Sequence, residues 1–177
     1  MQDHRFEFVV DGTPQEVWDV MAAQSRTNVD RGTVQIEILH RGDANGNGLV
    51  RHCYFPVPKY LLSGGVAQSW EWITESTPPI SWRYDTVSKP LWSKSTGWTR
   101  LDDAGNGQTR VSFRETYEAF NPLSRLFLEK PVHDFISKDN DRLIEAALVH
   151  ALKEAHAARK DLGLVVRPPS GRGQWVR

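Results

Sequence analysis

The segment FEFVVDGTPQEVW, residues 6–18, joins a strand pattern to a helix start and decides how the fold begins. Apolar side chains recur at every second position of its first part, the period of a β-strand: Phe6, Phe8 and Val10. Thr13 is a residue type that caps helices, and Pro14 suits the first helical position. Glu16 stands three residues after Thr13, which is the spacing of a capping box. The segment therefore predicts a strand followed directly by a helix to about Ala23.

The rest of the first two thirds of the chain predicts an antiparallel sheet. The polar residues 25–31 predict a second short helix or a turn before the sheet continues. Residues 42–48 and 102–107 are rich in Gly, Asn and Asp, the composition of β-hairpin connections. Short, turn-rich links between successive strands indicate a meander. We predict seven strands, at about residues 6–10, 34–38, 49–55, 66–77, 80–85, 93–101 and 109–119.

A long helix follows the predicted sheet. Pro131 falls inside the helical pattern, so we expect a short helix ending near Lys130, or a kink, before a main helix over residues 131–161. Ile144 and Leu148 belong to an apolar stripe on that helix, which predicts burial against the sheet. Residues 164–177 contain two prolines, two glycines and three arginines. They predict a mobile basic tail after a domain of residues 1–163.

Composition restricts the classes of function. The 177 residues include 22 basic and 22 acidic ones, and zero net charge argues against bulk nucleic-acid binding. Cys53 is the only cysteine, so disulfides are not expected and a reducing compartment is favoured. No apolar run has the length of a membrane span and no signal-peptide pattern opens the chain, which predicts a cytoplasmic protein.

Common catalytic and cofactor motifs are not found in the sequence. It has no P-loop, no dinucleotide-binding glycine motif and no nucleophile elbow. His150 and Glu154 are spaced as helical neighbours, but no third ligand lies near them in the sequence. We therefore expect neither a metal nor a cofactor.

The order of one strand, two short helices, six strands and a long helix resembles the START-like, helix-grip superfamily. This superfamily includes the birch-pollen-allergen-like proteins and the polyketide cyclase/dehydrase and lipid-transport family. Four segments carry the resemblance: TPQEVW at 13–18, ESTPP at 75–79, GNGQTRV at 105–111 and DNDRL at 139–143. The resemblance spans residues 4–160 and implies an α+β helix-grip fold, in which the curved sheet wraps the last helix around a cavity. It brings no catalytic motif with it.

The final helix gives the clearest sign of a cavity. Its apolar stripe continues backwards to polar side chains at His133, Ser137 and Asn140, which a tight core would disfavour. An alternative is that Pro131 turns His133 towards solvent. Aromatic residues of the strands are the other candidate walls, with ordinary core packing as their alternative role. The candidate ligand-binding residues are Trp70, Trp72, Trp82, Tyr84, Phe113, Tyr117, His133, Ser137 and Asn140.

We predict that the protein binds an apolar or amphipathic small molecule, without catalysis, as a monomer or homodimer. The runner-up is a cyclase or dehydratase, for which His133, Glu115 and Tyr117 are the candidate acid/base groups. Arg51 and His52 lie on opposite faces of one strand, so one of the two would point inward and join these groups. An alternative for Glu115 is a charge that is solvated or paired with an arginine. A third possibility is a protein-interaction module of the co-chaperone type. Residues 59–65, unusually apolar for an exposed connection, are a candidate lid.

Overall fold

The computed structural model describes residues 1–31, 34–137 and 140–161. In these residues a long, curved antiparallel sheet is covered on one face by helices. The predicted tail, residues 164–177, lies outside the described part of the chain. The strands are β1 (Gln2–Asp11), β2 (Val29–Arg31), β3 (Val34–Arg41), β4 (Leu49–Pro56), β5 (Val66–Thr77), β6 (Ser81–Lys89), β7 (Ser93–Gly105) and β8 (Gln108–Ala119). The helices are α1 (Pro14–Ser25), α2 (Pro122–Phe127), α3 (Glu129–Ser137) and α4 (Asn140–Asp161), with a short 3₁₀ turn at Lys59–Leu61.

The predicted helix start after β1 is confirmed. The Glu16 backbone N–H donates to the Thr13 hydroxyl oxygen at 3.4 Å, and the Thr13 N–H donates to the Glu16 carboxylate at 2.9 Å. This reciprocal capping box satisfies two amides that the first helical turn leaves free. Of the two alternatives for residues 25–31, a second short helix or a turn, the helix is wrong. After α1 the chain forms a turn and then β2, a three-residue edge strand that pairs with β3.

The sheet in the described residues has the order β1-β8-β7-β6-β5-β4-β3-β2, so the meander is confirmed with eight strands rather than seven. Both glycine-rich connections lie where the composition predicted hairpins, between β3 and β4 and between β7 and β8. Asn106 and Gly107 both adopt positive φ at the second of these, at 55° and 74°. Such angles explain why Asn and Gly occupy this turn.

The final helical region is divided close to Pro131, as predicted, but not by the proline itself. Pro131 lies in the first turn of α3, where a missing N–H costs no hydrogen bond, so the helix continues through it. The short helix α2 ends at Phe127, near the expected end at Lys130, and the interruption falls at Leu128. Residues 131–137 and 140–161 of the predicted main helix are helical, and residues 138 and 139 lie outside the described part of the chain.

The tightly packed core occupies one half of the space between sheet and helices. Here α1 and α4 cover the sheet, and Val17 and Val111 are at most 1% exposed. The ring centroids of Trp18 and Trp82 lie 5.1 Å apart in this half. The core consists of Phe8, Val10, Val17, Trp18, Leu101, Val111, Leu148 and Leu152. The other half of the sheet faces α3 and is packed less tightly.

Candidate functional site

A cavity of about 70 Å³ lies between the sheet and α3. Its sheet side is formed by hydroxyl groups on three adjacent strands, and its remaining walls contain a carboxyl, a phenol and an imidazole. The volume exceeds the roughly 10–15 Å³ that one water requires, so several polar atoms fit inside. The lining residues are Phe55, Ser69, Thr86, Ser88, Ser95, Glu115, Tyr117, His133, Ile136 and Ser137.

The cavity exists because short side chains occupy the inward positions of the central strands. Ser69 pairs with Ser88 across β5 and β6, and Thr86 pairs with Ser95 across β6 and β7. Side chains directly opposite on antiparallel strands lie on the same face, so these four hydroxyls form one polar wall. All four are at most 9% exposed. We did not single them out in the sequence, although alternate Ser and Thr positions on successive strands were visible there.

Glu115 faces this polar wall from β8. Its alternation with Val111 and Tyr117 predicted an inward side chain, and the structure has it lining the cavity. Burial and the negative charge of Glu71 raise the pKa of its carboxyl to about 7. The side chains of Ser95 and Tyr84 lie within hydrogen-bonding reach of it. Near neutral pH this carboxyl therefore exists in both its protonated and ionised forms.

Tyr84 reaches Glu115 across a glycine. Its ring passes over Gly97 on the neighbouring strand, and a Cβ at that position would lie 2.1 Å from the Tyr84 Cζ. No residue with a side chain fits there without displacing the ring. Burial together with the charges of Glu115 and Glu71 raises the pKa of the Tyr84 phenol well above its usual value. Tyr84 therefore stays protonated and can donate its proton in a hydrogen bond to Glu115.

An ion pair lies beside Tyr84 on the inner face. Arg51 of β4 and Glu71 of β5 are cross-strand partners, and the guanidinium donates to the carboxylate. Their side chains are only 20% and 12% exposed. Burial lowers the pKa of Arg51, but the charge of Glu71, its hydrogen bond and the nearby Cys53 and Tyr84 together outweigh burial and raise it. Burial also raises the pKa of the neighbouring Cys53 thiol to about 11, which leaves it unreactive near neutral pH.

His133 closes the cavity on the helix side, and His4 of β1 lies behind it. His133 of α3 is 8% exposed and lies 3.4 Å from the Ser137 hydroxyl, one turn later. Its ring centroid is 6.0 Å from that of His4, which itself contacts Asp141 of α4 at 2.7 Å. Burial and the proximity of His4 lower the pKa of His133, so its imidazole is neutral at neutral pH. The alternative in which Pro131 turns His133 to solvent is therefore wrong.

A second, narrow and mostly apolar space adjoins the cavity towards one end of the sheet, and we call it the apolar extension. Its volume is about 10 Å³, and it shares Phe55, Ser88, Tyr117 and Ile136 with the cavity. Its other walls are mostly apolar groups from the 3₁₀ turn, the β6–β7 connection and α3. These include Val57, Leu61, Pro90, Leu91 and Val132. The interior is thus polar at its centre and apolar towards this end.

The prediction that Trp70 and Trp72 form cavity walls is wrong. Both lie on the outer face of the sheet, because the inward positions of β5 are Ser69, Glu71 and Ile73. Trp70 stacks on His52 at 4.7 Å between ring centroids. His52 is therefore also outside, and its neighbour Arg51 is the inward residue of that strand.

The other predicted residues divide into three groups. Tyr117, His133 and Ser137 line the cavity with Glu115. Trp82 and Phe113 face inward but pack elsewhere: Trp82 on Trp18, and Phe113 on Phe6 at 5.0 Å. Asn140 begins α4, and its side chain lies outside the described residues.

Two properties of the described residues bear on other functions. None of their helices is long and apolar enough to span a bilayer. Within them, no three His, Cys, Asp or Glu side chains come together as a metal-binding group.

A family model described as polyketide cyclase / dehydrase and lipid transport matches residues 1–153. None of the curated proteins matches the sequence significantly. Similar solved structures include the Zhui aromatase/cyclase from Streptomyces sp. R1128, at 17% identity and a TM-score of 0.58, covering 97% of this chain and 99% of that one. A START superfamily protein from Mycobacterium smegmatis has 10% identity and a TM-score of 0.59, with 86% and 98% covered. A protein from Thermus thermophilus has 17% identity and a TM-score of 0.62, with 87% and 99% covered. At these identities the similarity concerns the fold.

Proposed function

Because this chain belongs to the polyketide cyclase / dehydrase and lipid transport family, we propose that it binds an amphipathic small molecule between the sheet and α3. The observation that carries the proposal is the two-part interior. Hydroxyl groups and Glu115 surround its centre, and apolar side chains surround the extension towards one end of the sheet. A ligand with one polar end and an apolar body matches this division.

The charges around the cavity favour a ligand whose polar end is neutral. Arg51 is already paired with Glu71, and His133 is neutral because its pKa is lowered. Glu115 gains negative charge as the pH rises through about 7, so it would repel a carboxylate or phosphate. A hydroxyl, phenol or carbonyl group can exchange hydrogen bonds with Glu115 and with the serine and threonine hydroxyls.

The cavity must enlarge to accept such a molecule. Its volume of about 70 Å³ is below the roughly 150 Å³ of an apolar cavity that takes up benzene. The candidate movable wall is α3, because the chain is interrupted at Leu128 just before this helix and because Phe135 of α3 is 48% exposed. Binding would then shift α3 away from the sheet rather than deform the sheet itself.

Substituting inward and outward residues of one strand tests this proposal. Ser69→Leu fills the polar wall, whereas Gln68→Leu adds the same side chain on the outer face of β5. We expect native mass spectrometry to find a co-purified ligand on the wild type and on Gln68→Leu but not on Ser69→Leu. Binding of Nile red, a neutral and largely apolar dye, should follow the same order. Equal dye binding by the two variants would contradict a ligand in this cavity.

A second candidate function is acid/base catalysis of the cyclase or dehydratase type. It is favoured by Glu115, whose pKa of about 7 suits proton transfer near neutral pH, and by Tyr117 and His133 in the same cavity. Glu115 would take a proton from a methylene between two carbonyls, and the resulting carbanion would attack the carbon of a distant ketone while a neighbouring acid protonates that ketone's oxygen. The hydroxyl so formed would leave as water together with the second hydrogen of the methylene. A synthetic linear tetraketide thioester, which can close a six-membered ring in this way, provides the assay, with loss of water followed by mass spectrometry. Turnover by the wild type that Glu115→Gln abolishes would support catalysis; no turnover would leave binding alone.

A further inference from the structure

Six large apolar side chains protrude from one end of the sheet, and we call them the apolar rim. They come from the β4–β5 and β6–β7 connections and from α2 after β8. Strand pairing brings these segments together, because Pro56 pairs with Val66, and Ser93 pairs with both Ser88 and Ala119. The apolar rim consists of Tyr60, Leu62, Trp92, Leu123, Leu126 and Phe127, with exposed fractions from 54% to 94%.

The apolar rim lies at the apolar end of the interior. Leu61 and Leu91, the chain neighbours of three rim residues, line the apolar extension of the cavity. Val132 of α3, which follows α2 directly, lines it too. A ligand that left the cavity through this extension would pass between rim side chains.

The segments that carry the rim are basic. Residues 57–65, 89–94 and 118–130 contain five lysines and arginines but only two acidic residues. One of the two, Glu129, is 1% exposed and is paired with the amino terminus at 2.7 Å. The other, Glu118, pairs with both Lys94 and Arg125. Lys130 pairs with Asp134 of α3, so the attraction to anions falls mainly to Lys59 and Lys89. The whole chain is neutral, so this end is positive relative to the rest of the molecule.

We propose that the apolar rim docks on an anionic lipid surface. Leu62 is 94% exposed at the tip of its loop, and Leu126 is 72% exposed on a different segment. Apolar side chains that protrude from three separate segments suit insertion among fluid acyl chains, which need no complementary shape. A stable protein partner would instead require about 800 Å² of well-fitted surface. The basic segments add attraction to anionic head groups.

Vesicle co-sedimentation of the full chain tests the proposal and does not depend on the cavity ligand. We expect binding to phosphatidylcholine/phosphatidylglycerol vesicles, much weaker binding to phosphatidylcholine alone, and a several-fold loss at high salt. The double variant Leu62→Ser/Leu126→Ser should lower the binding constant about tenfold or more. The matched control is Leu143→Ser, which removes a side chain of similar exposure, 64%, from α4. Circular dichroism and thermal unfolding check that every variant is folded.

Three results would overturn the proposal. One is an absence of binding to either kind of vesicle, and another is equal loss of binding in the rim and control variants. The third is a concentration-dependent dimer in sedimentation analysis that Leu126→Ser dissociates, because the rim would then be an interface between copies of the chain. The Ser69→Leu variant separates this proposal from the cavity proposal, since filling the cavity should leave vesicle binding unchanged.

Discussion

Replacing Glu115 with Gln should change how the stability of the protein depends on pH. The carboxyl has a pKa of about 7 in the folded chain against 4.5 for an ordinary glutamate, because it is buried and lies near the charge of Glu71. The folded state therefore binds this proton more tightly than the unfolded state does. The resulting stability is fully present below about pH 4.5 and is lost as the pH rises to about 7.

The size of the effect follows from the two pKa values. Each pKa unit corresponds to about 1.4 kcal/mol, so the rise from 4.5 to about 7 amounts to about 3 kcal/mol in total. Between about pH 5 and pH 8.5, some 2 to 3 kcal/mol of this should be lost. Glutamine has a similar shape, carries no charge and still forms hydrogen bonds, so Glu115→Gln should avoid this penalty at high pH.

Urea unfolding at several pH values measures the difference. The free energy of unfolding of Glu115→Gln minus that of the wild type should grow by about 2 to 3 kcal/mol from about pH 5 to pH 8.5. Groups that titrate equally in both proteins cancel in this subtraction. Glu37→Gln, at an exposed position of β3, serves as the control and should show no such growth. A difference that stays constant with pH would refute the buried, proton-binding carboxyl.

Three further substitutions test the parts that position the site. Gly97→Ala should destabilise the protein by about 2–3 kcal/mol, because its Cβ would meet the Tyr84 ring. The same substitution should cost less in a Tyr84→Ala background. A double-mutant cycle by urea unfolding measures this difference. Arg51→Met should lower the free energy of unfolding by about 3–5 kcal/mol, because it leaves the buried Glu71 charge without its partner. Removing both charges should recover much of that stability in the same assay. Thr13→Ala should cost about 1 kcal/mol through loss of the capping box, seen as a lower Tm; an unchanged Tm would show that the cap contributes nothing.

The elements with strong local signals could be predicted from the sequence. The capping box at Thr13 and the two glycine-rich hairpins depend on residues only a few positions apart, and each lies where it was expected. The inward side of β8 was also predictable, because Val111, Phe113 and Tyr117 share one face and the opposite face is mostly polar. The same alternation gave an inward Glu115 as one of two alternatives, the other being a solvated or arginine-paired charge. The three-residue strand β2 is too short to show a period.

The facing of β5 could not be predicted because both of its faces carry large or charged groups. Its inner face holds Ser69 and Glu71, and its outer face holds Trp70 and Trp72. A shift of one residue exchanges the two faces, and hydrophobicity alone favours the wrong choice here. Tertiary contacts on the outer face favour the observed orientation. Trp70 stacks on His52, and the Lys89 ammonium lies 5.2 Å from the centroid of the Trp70 ring. Neither partner is near β5 in the sequence.

The inner face of the sheet changes character along the same strands, and this change supports the proposed ligand site. On β7, Leu101 packs in the core, and Ser95 and Ser93 follow at inward positions towards the cavity. On β8, Val111 gives way to Glu115 in the same direction. Apolar residues at the serine positions would extend the core, and one at position 115 would remove a carboxyl that costs about 3 kcal/mol when ionised. A sheet selected for stability alone would have no reason to stop its core halfway, whereas a sheet that must hold the polar end of a ligand would.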